Sequence, residues 1–318
     1  MTPEIKQAVS ILRAGGLVAF PTETVYGLGA DASNDAAVQR IFKAKERPSQ
    51  HPLIVHISDP ADVDKWARDV SSAAQAVMQA FWPGPLTLIL KKQPHVLDSV
   101  TSGQDTIGLR IPHHPVALAL LHAFGSGIAA PSANKFTHIS PTTAAAVQAE
   151  LGSEVDCILD GGSCEVGLES TILDMSGAEP AILRPGMISA EAIAAVLGSP
   201  VISTNSQHVR APGMHHLHYA PQTHAVLVEK ENLAAYLHSL PPIPAACMAV
   251  GKYSGAVTDT VSVISMPTEA AAYAHDLYHT LRLLDNQGFK QIIIEAVPSG
   301  LEWEAIWDRL KKATAEKR

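Results

Sequence analysis

Cysteine is scarce in this 318-residue chain: Cys157, Cys164 and Cys247 are the only three, and none stands in a Cys-x-x-Cys pair. An odd, scattered set excludes a disulfide framework or a cysteine-held zinc and fits a reducing cytosol. Long apolar runs are missing as well. No stretch approaches the roughly 18 residues of a membrane span, so no membrane association is expected. The start, Met1-Thr2-Pro3-Glu4-Ile5-Lys6, lacks the basic region and apolar stretch of a secretory signal. The familiar nucleotide and nucleophile motifs are absent too: no Gly-x-x-x-x-Gly-Lys-Ser/Thr, no Gly-x-Gly-x-x-Gly opening a helix, no Gly-x-Ser-x-Gly. A nucleotide would need another kind of pocket.

Positive charge is also short. The net charge is −8, which argues against tight RNA binding through phosphates. Residues 1–200 carry 13 Lys/Arg against 20 Asp/Glu, and residues 201–318 carry 10 against 11. Four of those first 13 cations, Arg40, Lys43, Lys45 and Arg47, crowd one short stretch. A basic spot on an acidic domain suggests a pocket for a small anion. With 47% hydrophobic and 17% charged residues, the composition is that of a core-forming globular protein.

Periodicity predicts two α/β domains. Over residues 1–198 helical stretches (Glu4–Ala14, Asp35–Lys45, Ala61–Arg68, Ser71–Phe81, Val116–Ala123, Thr142–Leu151, Ser189–Leu197) alternate with short apolar strands. The late strands follow one another closely, so the sheet should be mixed. Residues 199–222 read as a linker, long enough to suggest a role. Residues 223–318 alternate strand and helix again, as in a small doubly wound, Rossmann-like domain.

Chemistry-bearing residues cluster at predicted strand ends, where open α/β sheets bind ligands. Pro21-Thr22-Glu23-Thr24-Val25-Tyr26-Gly27-Leu28-Gly29 follows a strand; its glycines read as turn-formers, in a site or in an ordinary loop. Lys45 lies four residues after Ile41 on the apolar helix face, so it either snorkels or faces a pocket. Arg47 offers a fork for phosphate oxygens, or both cations merely dress a helix C-terminus. Pro131-Ser132-Ala133-Asn134 could bind phosphate or ribose. Ser140 is an N-cap candidate for the helix at Thr142. Arg110, in an otherwise apolar strand, requires either an internal ion-pair partner or a carboxylate ligand. Arg184 ends a strand beside a turn. His215, His216 and His218 look like a metal cluster, yet no carboxylate or cysteine accompanies them, so no metal site is expected.

Read together, these stretches resemble the threonylcarbamoyl-AMP synthase family, in its long form with a YrdC-type catalytic domain. The matching pieces run in order: Phe20 to Gly29; Lys45-x-Arg47-Pro48 with Pro52-Leu53-Ile54-Val55-His56; Phe81-Trp82-Pro83-Gly84-Pro85-Leu86-Thr87; Arg110-x-Pro112; Pro131-Ser132-Ala133-Asn134; Gly167-x-Glu169-Ser170-Thr171; Leu183-Arg184-Pro185-Gly186; Ala211-Pro212-Gly213-Met214; and His218-Tyr219-Ala220-Pro221. The chain departs from the family pattern at Phe136-Thr137, usually Ser-Gly, and at Leu217, usually basic.

The resemblance implies a cytoplasmic nucleotidyltransferase with a YrdC-like mixed, twisted sheet. It would join L-threonine, bicarbonate or CO2, and ATP, and release pyrophosphate. It further implies ATP held by Lys45, Arg47, His51, Thr106, Ser132, Asn134, Ser140 and Arg184, with Tyr219 over the nucleotide as a lid. Lys45 and Arg47 would act in catalysis. Threonine would be held by Thr24, His56, Arg110, Ala130 and Ser170. Magnesium would ride on the triphosphate, and the product would pass to a tRNA-modifying transferase complex. Two other readings stand beside this one: an RNA-binding module without turnover, and a carbamoyl-phosphate-dependent carbamoyltransferase.

Overall fold

The computed structural model describes residues 1–203, 209–214 and 218–315. They form two compact units. One comprises Met1–Phe136 and Ser140–Met214; the other comprises Thr137–Ile139 and residues 218–315.

The first unit is built on one mixed sheet. Its strands are β1 Val18–Phe20, β2 Gly27–Asp31, β3 Ile54–His56, β4 Ala67–Arg68, β5 Leu86–Lys92, β6 Thr106–Arg110, β7 Ile128–Ala129, β8 Cys157–Ile158, β9 Thr171–Asp174, β10 Ala181–Arg184 and β11 Ile202–Ser203. Their order is β11-β10-β9-β5-β6-β3-β7-β2-β1-β8, with β4 added to β5. The helices are α1 Pro3–Arg13, α2 Asp35–Lys45, α3 Ser72–Phe81, α4 Asp98–Thr101, α5 Pro115–Phe124, α6 Ala144–Leu151 and α7 Ala190–Leu197.

Period-two alternation sorts the sheet's side chains. Val55, Leu86, Leu88, Leu90, Ile107, Leu109, Leu173 and Ile182 enter the main core, beneath helices such as α2 and α3. The intervening residues face the other way. There Ile54, Ile89, Ile172 and Leu183 form a small apolar patch capped by Ala211, and the same alternation puts His56, Thr87, Thr106 and Arg110 on that face. A second apolar cluster joins α1 and α5 to Val18, Phe20 and Ile128.

Three predicted features differ. Gly27 and Gly29 do not turn the chain: they lie in β2, antiparallel to β1 with Phe20 opposite Gly27 and Val18 opposite Gly29. Their value is close approach. A Cβ on Gly29 would come within 2.8 Å of both Phe20 and Ile128 side chains, so tight packing across the sheet requires the missing side chain. Residues 61–68 are not an α-helix; Pro60–Lys65 make a 3-10 turn and Ala67–Arg68 pair with β5. Pro60 and the Asp59 cap begin a helical turn that the sheet edge then overrides. Thr143, not Ser140, caps α6, accepting from the Ala146 N–H.

In the second unit, β12 His224–Val228, β13 Ala245–Val250, β14 Val261–Met266 and β15 Gln291–Glu295 make an all-parallel sheet ordered β12-β15-β13-β14. It is joined by α8 Lys230–Ser239, α9 Ala270–Asp285 and α10 Glu304–Ala313. Parallel strands with helical crossovers are the Rossmann-like arrangement expected.

Candidate active site

The basic residues of α2 reach the sheet through the way that helix ends. Asn34 caps its start by accepting from the Ala37 N–H, and Val38, Ile41 and Phe42 bury its inner face. Glu46 then adopts φ 51°. The Glu46 N–H bonds to Lys43 O and the Arg47 N–H to Phe42 O, the paired bonds of a Schellman turn. A non-glycine residue in that region costs about 1 kcal/mol, and it throws Arg47 back toward the sheet.

Lys45 does not snorkel. It is 1% exposed, and its Nζ donates to Ser132 O at 2.5 Å and to Asn134 O. Burial, reinforced by the nearby Arg47, pulls its pKa well below the usual lysine value, while Glu150 and Glu169 push the other way. Arg47 donates through Nη2 to Pro52 O at 3.1 Å, and its guanidinium lies 5.9 Å from the Phe136 ring centre. The same ring stands 5.1 Å from that of His51. The family departure at Phe136 therefore puts an aromatic face between two predicted nucleotide contacts.

Backbone bonds gather the loops. Tyr26 accepts from the Ala133 N–H and donates its own N–H to Pro141 O, while the Leu28 N–H bonds to Pro131 O. These join the 21–26 loop to 131–134 and to 140–142. Ala130, 4% exposed, donates its N–H to Ile54 O beside β3. Ser140, released from capping, donates its hydroxyl to Glu169 Oε1 at 2.5 Å. Next along, Ser170 shares a 2.8 Å hydroxyl contact with Thr87. Arg184 donates to Ser170 O through Nε at 3.0 Å and Nη2 at 2.9 Å, and to Pro212 O through Nη1 at 3.2 Å. The register slips between Ile182 and Arg184, and such a bulge re-aims the residue at its end.

His56 and Arg110 are register partners at the ends of β3 and β6. Arg110 has found an internal partner: its Nη2 is 2.8 Å from Glu23 Oε1, with both side chains almost wholly buried. Thr24, fully buried, shares a 2.8 Å hydroxyl contact with Thr22 on the same loop.

Burial, helped by the Arg110 charge, holds the His56 pKa down to about 3, so the ring is neutral at pH 7. The unfolded chain protonates this imidazole near pH 6.5 and the folded chain does not, so its contribution to stability falls as pH drops from 6.5 toward 3. The slope approaches about 1.4 kcal/mol per pH unit. A His56→Gln variant should lose this term: urea unfolding at pH 7 and pH 4.5 is expected to show the variant gaining on the wild type as the medium acidifies. An unchanged difference would contradict a buried neutral ring.

Thus Thr24, Lys45, Arg47, His51, His56, Arg110, Ala130, Ser132, Asn134, Ser140, Ser170 and Arg184 fall on one contiguous network of loops and strand ends. Thr106 is half-buried at the other end of β6, opposite Lys91 and roughly 13 Å along the strand from Arg110. Tyr219 belongs to the second unit. It is 1% exposed there, stacked 5.8 Å from Tyr278 and 5.2 Å from the Arg309 guanidinium. His215, His216 and Leu217 lie outside the described residues. Among the described residues no group of three His, Cys, Asp or Glu is placed to hold a metal ion, and no helix is long and apolar enough to cross a membrane. Sequence reasoning quoted Glu23 and Glu169 inside their motifs without giving either a role; their only signal was a carboxylate among residues that otherwise bury.

Comparison with known proteins matches both units. Residues 10–186 match the family described as "Telomere recombination", and residues 188–315 the one described as "Threonylcarbamoyl-AMP synthase, C-terminal domain". The chain is 37% identical to the threonylcarbamoyl-AMP synthase of Pyrococcus abyssi over 98% of its own length and 94% of that protein's. It is 39% identical to that of Bacillus subtilis, over 98% and 93%. A crystal structure of P. abyssi Sua5 complexed with L-threonine superposes with a TM-score of 0.91 at 35% identity, covering 98% of this chain and 94% of that one. With both units matched and the cationic loops in the expected order, the chain belongs to the threonylcarbamoyl-AMP synthase family.

Proposed function

We infer that this chain makes L-threonylcarbamoyl-AMP from L-threonine, bicarbonate or CO2, and ATP, releasing pyrophosphate. The observation that carries this is the burial of Lys45, Arg47, Arg110 and Arg184, each 8% exposed or less, along one connected network of loops and strands in the first unit. So many buried cations serve a polyanion and a carboxylate better than they serve a fold.

The reaction needs no protein nucleophile. The threonine amine adds to CO2, losing a proton, and gives a carbamate. A carbamate oxygen attacks the α-phosphorus of ATP, and pyrophosphate departs. The protein's task is positioning and electrostatics. Lys45, Arg47 and Arg184 would face the phosphates; Ser132, Asn134 and Ser140 would bind the nucleotide, with His51 and Thr106 beside it. Thr24, His56, Arg110, Ala130 and Ser170 would form the threonine side, and Tyr219 would contribute to a lid that keeps water from the mixed anhydride. Glu169 is engaged by Ser140 and Glu23 by Arg110, and among the described residues no group of three His, Cys, Asp or Glu is placed to hold a magnesium ion. The ion would travel on the triphosphate oxygens. A soluble cytoplasmic enzyme that hands its product to a tRNA-modifying transferase complex completes the proposal.

The test is pyrophosphate release from ATP with each amino acid in turn, with and without bicarbonate. Release that requires both threonine and bicarbonate is the expected outcome. Release that ignores either would refute the assignment.

A further inference from the structure

Threonine enters as a zwitterion, and the residues above provide for only one of its charges. Arg110 suits the carboxylate. Thr24 and Ser170 are uncharged, and His56 is held neutral by burial. No counter-charge for the ammonium is among them.

Glu23 stands at the right place. It occupies the loop between β1 and β2, where Thr22 Oγ1 accepts from the Thr24 and Val25 N–H groups at 3.2 Å each and donates to Val25 O at 2.6 Å. The loop is thus rigid around it. Its carboxylate is nearly fully buried, 2.8 Å from Arg110 Nη2. That approach lies off the hydrogen-bonding direction: among the described residues neither Glu23 oxygen, nor Arg110 Nη2, nor His56 Nδ1 has a hydrogen-bond partner. Buried polar atoms in folded proteins are almost always bonded. Four that are not, on three adjoining residues, mark a position where another molecule completes the bonding. Their charges name its class. A cation and an anion in near contact are matched, sign for sign, by a carboxylate and an ammonium on one carbon.

We propose that Glu23 accepts the α-ammonium of the amino-acid substrate while Arg110 takes its carboxylate, so that the buried pair opens to admit a zwitterion. This rests on the threonine-activating reaction inferred above. Exchanging one internal pair for two substrate pairs leaves every charge partnered. A 2-hydroxy acid would capture Arg110 and strand the Glu23 carboxylate in a dry site, and sites with buried groups left unpaired reject such analogues strongly.

The experiment is calorimetric binding of L-threonine and of 2,3-dihydroxybutanoate, in which hydroxyl replaces the ammonium, to wild type and to Glu23→Gln, each with ATP present. Wild type is expected to prefer threonine by on the order of 100-fold, and Glu23→Gln to lose most of that preference by weakening threonine alone, about 10- to 100-fold. Glu23→Asp, which keeps the charge, should keep the preference. If Glu23 only holds Arg110 in place, Glu23→Gln weakens both ligands alike and the proposal fails. Should Glu23→Gln not fold, the wild-type comparison still decides: equal affinity for the two ligands overturns the ammonium contact. Wild type that binds neither overturns the amino-acid reaction itself, a different failure.

Discussion

Replacing Lys45 with methionine is expected to slow pyrophosphate release by roughly 100- to 1000-fold, the loss typical of removing one preorganised charge-stabilising donor. The unfolding free energy should move far less, by about 2 kcal/mol at most, because two opposed effects nearly cancel. Methionine leaves the carbonyls of Ser132 and Asn134 without the donor they now share, which destabilises. It also removes an ammonium that is costly to bury, as the downward pull on its pKa shows, which stabilises. Nothing offsets the catalytic loss. A polyphosphate beside Lys45 would meet a positive charge at the point where negative charge builds, and a thioether supplies none. Alanine is the poorer test: it takes the same donor away and adds a cavity, so the fold itself would suffer. Steady-state turnover together with urea unfolding separates the effects. Turnover within threefold of wild type would remove Lys45 from the mechanism.

The double role of Lys45 illustrates what the sequence carried and what it did not. Helical spacing put Lys45 on the buried face of α2, and alternation put Arg110 in an apolar strand; both inferences need only local periodicity. The ordered motifs carried the family. Long-range partners were another matter. Glu23 meets Arg110 across 87 positions and Ser140 meets Glu169 across 29, and no local period encodes such pairs. Ser140 looked like an N-cap because Ser before a helical run usually is one; a better-placed Thr143 won the cap, and the buried Glu169 gained a donor. Gly27 and Gly29 looked like turn residues because glycine is most often needed for its backbone freedom. Here both are extended, and the need for a bare Cα comes from Phe20, Ile128 and Ala130 packing against them, neighbours visible only once β2 is in place.

Gly186 shows the same principle with the largest structural consequence, and Gly186→Ala is expected to destabilise the protein by about 3 kcal/mol or more. Its φ is not in the left-handed region, so alanine is acceptable to the backbone itself. The obstacle is steric. A Cβ there would lie 2.3 Å from the Thr171 nitrogen, 2.6 Å from Thr171 Oγ1 and 2.8 Å from the Ser170 carbonyl carbon. None of these can swing aside. The Thr171 N–H is bonded to Pro85 O where β9 joins β5, and Thr171 Oγ1 both donates to Ile188 O and accepts from the Ile188 N–H. Relief requires moving the 170–171 backbone, and Ser170 O is where Arg184 rests its guanidinium. The strain would therefore reach the proposed phosphate and threonine contacts together, and turnover should fall beyond what the lost stability explains when assayed well below the melting point. Gly177→Ala is the control. Nothing lies within 4 Å of its Cβ position, so the same substitution there should be neutral or stabilise by up to about 1 kcal/mol. Urea midpoints for the two variants decide the matter: a Gly186→Ala shift no larger than that of Gly177→Ala would mean that the join between β9 and the Arg184 turn is softer than its contacts indicate.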